Sequence, residues 1–170
     1  MVTIREARAD DLPRLVEIED AAETTFVALS TDFEPLPGGT SVEEIAPYAE
    51  AGRAFVAADD TDRPVGYLLV DIVDGATHIE QVSVHPGHAG KGIGRELIGR
   101  AAGWARAHGF GALTLTTYVE VPWNGPYYER LGFRYLAASE ETAGLRAIRA
   151  HERELGLDIW ARTSMARRLD

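Results

Sequence analysis

The chain has 170 residues, 45% of them hydrophobic, which is enough to close the core of one domain without covalent staples. Asp and Glu number 27 against 17 Lys and Arg, a net charge of −10, which argues against nucleic acid or an anionic membrane as partner. With no Cys, disulfides, thiolate zinc sites and thiol nucleophiles are excluded; the five His do not restore a metal site, and the chain suits a reducing cytoplasm.

The opening residues, Met1 to Glu6, lack a charged-then-apolar signal pattern, and no apolar stretch approaches the roughly 18 residues of a membrane span. Thr3 to Ala7 alternates as a strand does, and Asp10 or Asp11 is expected to cap a helix carrying Leu12, Leu15, Val16 and Ile18. Glu34 to Thr40 is a cluster of breakers, after which Ser41-Val42-Glu43-Glu44 reads as a capping box opening a second helix. Ala54–Ala58 and Pro64–Val73 are two strands that should pair antiparallel through the polar turn Asp59 to Arg63. His78–Val84 is a third run, with Glu80, Val82 and Val84 on one face and Ile79, Gln81 and Ser83 on the other.

From Gly92 to His108, Ile93, Leu97, Ile98, Ala101 and Ala105 keep helical spacing, and Gly99 and Gly103 are expected to allow close packing on a sheet. Ala112–Val119 follows as a strand, which completes a parallel crossover. Asn124–Leu131 predicts a short helix ended by Gly132; Phe133–Leu136 is strand-like, Glu140–Leu155 helical and Ile159–Leu169 a closing strand. No second domain boundary is implied, so residues 1–170 are expected to form a single domain. Residues 1–60 hold four Arg and fourteen acidic side chains and thus carry the whole net charge, as a solvated acidic face or as a surface that attracts a cationic substrate.

Between the strand at His78–Val84 and the strong helix, Gly90, Gly92 and Gly94 stand at alternate positions. Unencumbered amides at a helix N-terminus form an anion site, and a diphosphate fits that chemistry; a plain glycine turn is the structural alternative. The dinucleotide fingerprint fails because Arg95 takes its third glycine position, and the P-loop pattern fails because Ile93 stands where Lys is needed.

Val82-Ser83-Val84-His85-Pro86, then Gly90-Lys91-Gly92-Ile93-Gly94, then Tyr127-Tyr128-Glu129-Arg130-Leu131-Gly132-Phe133 closely resemble the GNAT superfamily of acetyl-CoA-dependent N-acetyltransferases. The resemblance covers nearly the whole chain. It implies an α/β fold with a mixed, mostly antiparallel central sheet, splayed between the fourth and fifth strands, His78–Val84 and Ala112–Val119, with helices on both faces. It also implies acetyl-CoA as co-substrate, no metal, and an amine as acceptor. The backbone of Val82, Ser83 and Val84 would pair with pantetheine, and the amides of Gly90, Lys91, Gly92, Ile93, Gly94 and Arg95 would cradle the pyrophosphate. Ala89 departs from the family pattern, standing where a Gln or Arg is usual; Lys91 and Arg95 are candidates for compensating charge.

Acyl transfer to an amine requires that the ammonium lose a proton and the departing thiolate gain one. Glu80 is the first candidate for the base, with His78, Glu120 and Glu23 in reserve; an ordinary solvated strand Glu is the alternative role for Glu80. By resemblance Tyr128 protonates the thiolate, Tyr127 packs, and Asn124 contacts pantetheine, although Asn124 stands closer to Tyr128 than the family spacing has it. Pro122 to Pro126 reads as a rigid lip to the acceptor side. The acidic first third favours a cationic acceptor. A catalytically silent acyl-CoA-binding module is the rival reading, and the exposed face of the helix at Glu140–Leu155 would suit a homodimer.

Overall fold

In the computed structural model the described residues are 1–29 and 40–170, so the breaker cluster lies outside them except for Thr40. The elements in chain order are β1 (Thr3–Glu6), α1 (Leu12–Val27), α2 (Val42–Glu50), β2 (Ala54–Ala58), β3 (Pro64–Val73), β4 (Ala76–Val84), α3 (Ile93–Ala107), β5 (Ala112–Tyr118), α4 (Gly125–Arg130), β6 (Arg134–Tyr135), α5 (Ala143–Glu154) and β7 (Arg162–Arg168). The strands form one sheet in the order β1-β2-β3-β4-β5-β7-β6. β4 and β5 run parallel, while β1/β2, β2/β3, β5/β7 and β6/β7 run antiparallel. This is the mixed, mostly antiparallel α/β architecture expected. The chain divides into two compact units, residues 1–70 with 80–101 and residues 71–79 with 102–170.

In the first unit the helical spacing of Leu12, Leu15 and Ile18 lays α1 against Ile45 of α2 and against Ala54, Val56, Tyr67 and Leu69 of the hairpin β2–β3. Ser41 caps α2 as expected, accepting a hydrogen bond from the Glu44 amide at 3.2 Å. Asp11 does not cap α1 with its side chain. Its carboxylate turns back to the Arg8 amide (2.7 Å) and to Arg5 (2.8 Å), because a guanidinium offers a stronger bond than a second amide. The guanidinium of Arg5 holds Asp11 below the usual carboxylate range, against the opposing effect of burial.

The opposite face of β3 takes α3. A Cβ built on Gly66 would lie 3.1 Å from the Ser83 carbonyl oxygen and 3.3 Å from both Ile93 and Leu97, so Gly66 is what lets α3 approach this closely. Gly99 and Gly103 do not serve that purpose: a Cβ at either position meets nothing within 4 Å. The close approach occurs where the helix begins rather than along its middle.

In the second unit β4 pairs with β5 at Thr77–Leu113 and His78–Thr114, and β5 pairs with β7 from Ala112–Arg168 to Tyr118–Arg162. The helix expected from Glu140 starts instead at Ala143, after a 3₁₀ turn at Ala138–Glu140. Glu141 and Thr142 are extended, and the Thr142 hydroxyl accepts the Leu145 amide as the cap. The closing strand likewise begins at Arg162, since Leu157–Ile159 forms a 3₁₀ turn.

One buried cation organises this unit. Arg149, 6% exposed, bonds both carboxylate oxygens of Asp158 (2.9 and 2.8 Å), Glu152 (2.9 Å) and the Arg162 carbonyl (3.2 Å). Glu152 also receives Thr116 and Arg162, whose guanidinium lies 4.4 Å from the centre of the Tyr118 ring. Two guanidiniums therefore balance two carboxylates, which satisfies the requirement that buried charge be paired.

Candidate active site

The loop from β4 to α3 lies in the first unit, and its backbone is set by glycine. Gly90 and Gly92 both adopt φ of +77°, a conformation that side chains with a Cβ rarely take, and a Cβ on either would project into open space. The His85 ring accepts the Gly87 amide at 3.0 Å, which fixes the 3₁₀ turn Pro86–His88 ahead of the glycines. The first helical bond of α3 runs from the Glu96 amide to the Gly92 carbonyl at 3.1 Å. The amides of Ile93, Gly94 and Arg95 therefore precede any intrahelical partner and point out of the helix, where the macrodipole is positive. Ile93 and Leu97 are buried and anchor this turn, whereas Lys91 and Arg95 are exposed. Ala89 is exposed as well and brings no polar side chain, so anion recognition here falls chiefly to backbone.

Along β4, Glu80 is exposed, Val82 and Val84 are half-buried, and Ser83 is buried. The alternation read from the sequence holds: Gln81 and Ser83 share one face, and both are bonded there to Glu19 of α1. Tyr67 of β3 donates to the same carboxylate at 2.9 Å. Sequence reasoning passed over Glu19. The signal was present, since Glu19 follows Leu15 by four residues and Leu12 by seven, an acidic residue on the core-facing stripe. One turn further, Glu23 is raised above the usual carboxylate range by burial and by the charges of Glu19 and Asp20.

In the second unit Tyr128 lies on α4, 7% exposed, edge-on to Tyr127 (5.5 Å between ring centres) and Phe133 (5.9 Å). Among the described residues its hydroxyl makes no hydrogen bond, and burial raises its pKa well above that of a free phenol. Gly125 fixes the start of α4: a Cβ there would come within 2.7 Å of the Tyr135 hydroxyl and 2.8 Å of the Val119 carbonyl oxygen. The Asn124 carbonyl accepts the Tyr128 amide at 2.9 Å, and its side-chain amide donates locally to the Trp123 carbonyl. His78 is buried with Nδ1 2.8 Å from the Thr114 hydroxyl, and burial depresses its basicity. Among the described residues no group of His, Asp or Glu could hold a metal ion.

A sequence model described as the Acetyltransferase (GNAT) family matches residues 13–133. The chain belongs to the GNAT family. This GNAT protein is 38% identical over 105 residues to streptothricin acetyltransferase of Streptomyces lavendulae, across 59% of its own length and 55% of the relative's, so it spans about half of that enzyme. It is 25% identical over 142 residues to the peptidyl-lysine N-acetyltransferase YjaB of Salmonella typhimurium, covering 82% of this chain and 88% of the other. Its fold matches a GNAT acetyltransferase of Staphylococcus aureus with a TM-score of 0.75 at 16% identity over the full length of both chains. It also matches the PaiA N-acetyltransferase of Thermoplasma acidophilum, solved with coenzyme A, at 0.74 and 14% identity over 99% of each. No helix among the described residues is long and apolar enough to cross a membrane.

Proposed function

We propose that residues 1–170 form one acetyltransferase domain that moves an acetyl group from acetyl-CoA to a primary amine by direct attack on the thioester. The observation that supports this best is the row of open amides from Gly90 to Arg95 at the head of a fifteen-residue helix, in a chain of an acetyltransferase family. That row suits the diphosphate, with Lys91 and Arg95 adding charge from solvent. The extended backbone of Val82, Ser83 and Val84 offers amides and carbonyls to pantetheine, and Asn124 a further polar contact. Relatives named for acting on streptothricin and on peptidyl-lysine support an amine as acceptor.

In the proposed reaction Glu80, directly or through water, takes the proton of the acceptor ammonium. The amine nitrogen bonds to the thioester carbonyl carbon, the carbon–sulfur bond breaks, and Tyr128 gives its proton to the departing thiolate. The nitrogen sheds its second proton as the amide forms, and that proton passes through water to restore the Tyr128 phenol, while Glu80 returns its own to solvent. The products are the N-acetyl amine and free CoA thiol. Burial keeps the Tyr128 phenol protonated across the working pH range, so its proton is in place when the thiolate forms.

Gly92→Val tests the cradle. A β-branched residue at φ of +77° costs on the order of 1–3 kcal/mol or shifts the loop, so the Kd for CoA is expected to rise at least about tenfold. Because position 92 opens onto free space, overpacking of the protein does not account for such a loss. Wild-type affinity in this variant contradicts the cradle. The acidic residues 1–60 favour a cationic acceptor, whose KM is then expected to rise with ionic strength; a KM indifferent to salt refutes that part.

A further inference from the structure

Glu19 is the meeting point of three donors from two strands. Tyr67 of β3 reaches its Oε2 at 2.9 Å, Ser83 of β4 reaches the same oxygen at 2.5 Å, and the Gln81 side-chain amide lies 3.1 and 2.9 Å from its two oxygens. Gln81 also donates to the Ser83 hydroxyl at 2.9 Å, which closes the cluster. Ser83 is 7% exposed and Tyr67 1%, so these donors have little water to fall back on. A charged acceptor with neutral donors makes stronger bonds than a neutral pair, and here a single carboxylate fastens α1 to both strands.

Side chains alternate along a strand, so holding Gln81 and Ser83 from α1 also fixes the roll of the peptide planes between them and the direction of Glu80, Val82 and Val84. We infer that Glu19 is a positioning residue that sets how β4 presents its backbone to the pantetheine arm of acetyl-CoA. This rests on the proposed function, because it needs that strand to be the coenzyme's partner. In this role Glu19 acts through Gln81 and Ser83, the β4 side chains it holds.

The test is a mutant cycle in the full chain, read as the Kd for CoA by calorimetry and as kcat and KM for acetyl-CoA, well below each variant's melting temperature. Glu19→Ala is expected to raise the Kd and the KM for acetyl-CoA about tenfold while changing kcat less. Gln81→Glu is expected to do at least as much harm, since it sets two carboxylates against each other. The double variant Glu19→Gln with Gln81→Glu restores one carboxylate and one amide at the same place and should return the Kd to within about threefold of wild type. Glu141→Gln removes a comparable carboxylate, bonded to Ser164 in the other unit, and should lower the melting temperature while leaving the Kd unchanged. Should Glu19→Ala not fold, the two Gln81→Glu variants still decide the matter. Wild-type Kd and KM in Glu19→Ala, or no recovery in the double variant, overturns the inference; a wild-type chain that does not bind CoA overturns the proposed function beneath it.

Discussion

Tyr128→Phe is expected to slow acetyl transfer on the order of a hundredfold in kcat, while the Kd for CoA stays at its wild-type value. The change removes one oxygen from a ring held between Tyr127 and Phe133, so packing is conserved. Its hydroxyl has no hydrogen-bond partner among the described residues, and deleting such a group from a buried ring leaves stability unchanged or slightly higher. A melting temperature that holds while kcat collapses assigns the hydroxyl to chemistry. An unchanged kcat makes Tyr128 a packing residue. Glu80→Gln is expected to give a loss of similar size near neutral pH, but one that shrinks as the pH approaches the roughly 10 at which a primary amine loses its own proton. A loss that stays constant with pH removes Glu80 as the base.

Arg149→Met should lower the stability of the folded chain by about 3 kcal/mol, because it leaves Asp158 without its bidentate partner and Glu152 with only one of its two. For a chain of this size that corresponds to a fall in melting temperature of roughly 6–12 °C. The methionine keeps the aliphatic stem, so the loss reports the charge rather than a cavity. The pH dependence has a definite sign. In the wild type Arg149 holds Asp158 below the usual carboxylate range, so the stability gained from the pair is full above the unfolded-state pKa and is lost as the pH falls through the folded value. The variant has no such gain to lose, and the gap between the two should narrow in acid. Equal melting temperatures at pH 7 contradict the role given to Arg149.

Elements whose determinants are local were legible in the sequence. Ser41 caps the helix that its own Glu44 completes, and the hairpin from Ala54–Ala58 to Pro64–Val73 has the bounds that its apolar runs and polar turn dictate. The glycine loop was legible as well, since positive φ at Gly90 and Gly92 is what alternate glycines before a helix permit. Distant partners hid the rest. Glu19 reads as one more acidic residue of a helix, because the groups that define it, Tyr67, Gln81 and Ser83, come from strands far along the chain. Gly66 passed for an ordinary strand residue, although the start of α3 packs against it, and Gly99 and Gly103 drew attention through a propensity that no contact uses. Arg149 lies on a helix whose other arginines face solvent, so only the fold reveals that it is buried against Asp158.

The amides from Gly90 to Arg95 are proposed to hold the diphosphate of acetyl-CoA. The most direct test is the melting temperature of the chain titrated with acetyl-CoA and, in parallel, with S-acetylpantetheine, which keeps the thioester arm and lacks the diphosphate. A ligand that binds only the folded state raises the melting temperature with its concentration, so acetyl-CoA should give a saturable rise and S-acetylpantetheine a much smaller one at equal concentration. Equal rises would place the binding energy elsewhere than in the cradle, and no rise at saturating acetyl-CoA would contradict the claim.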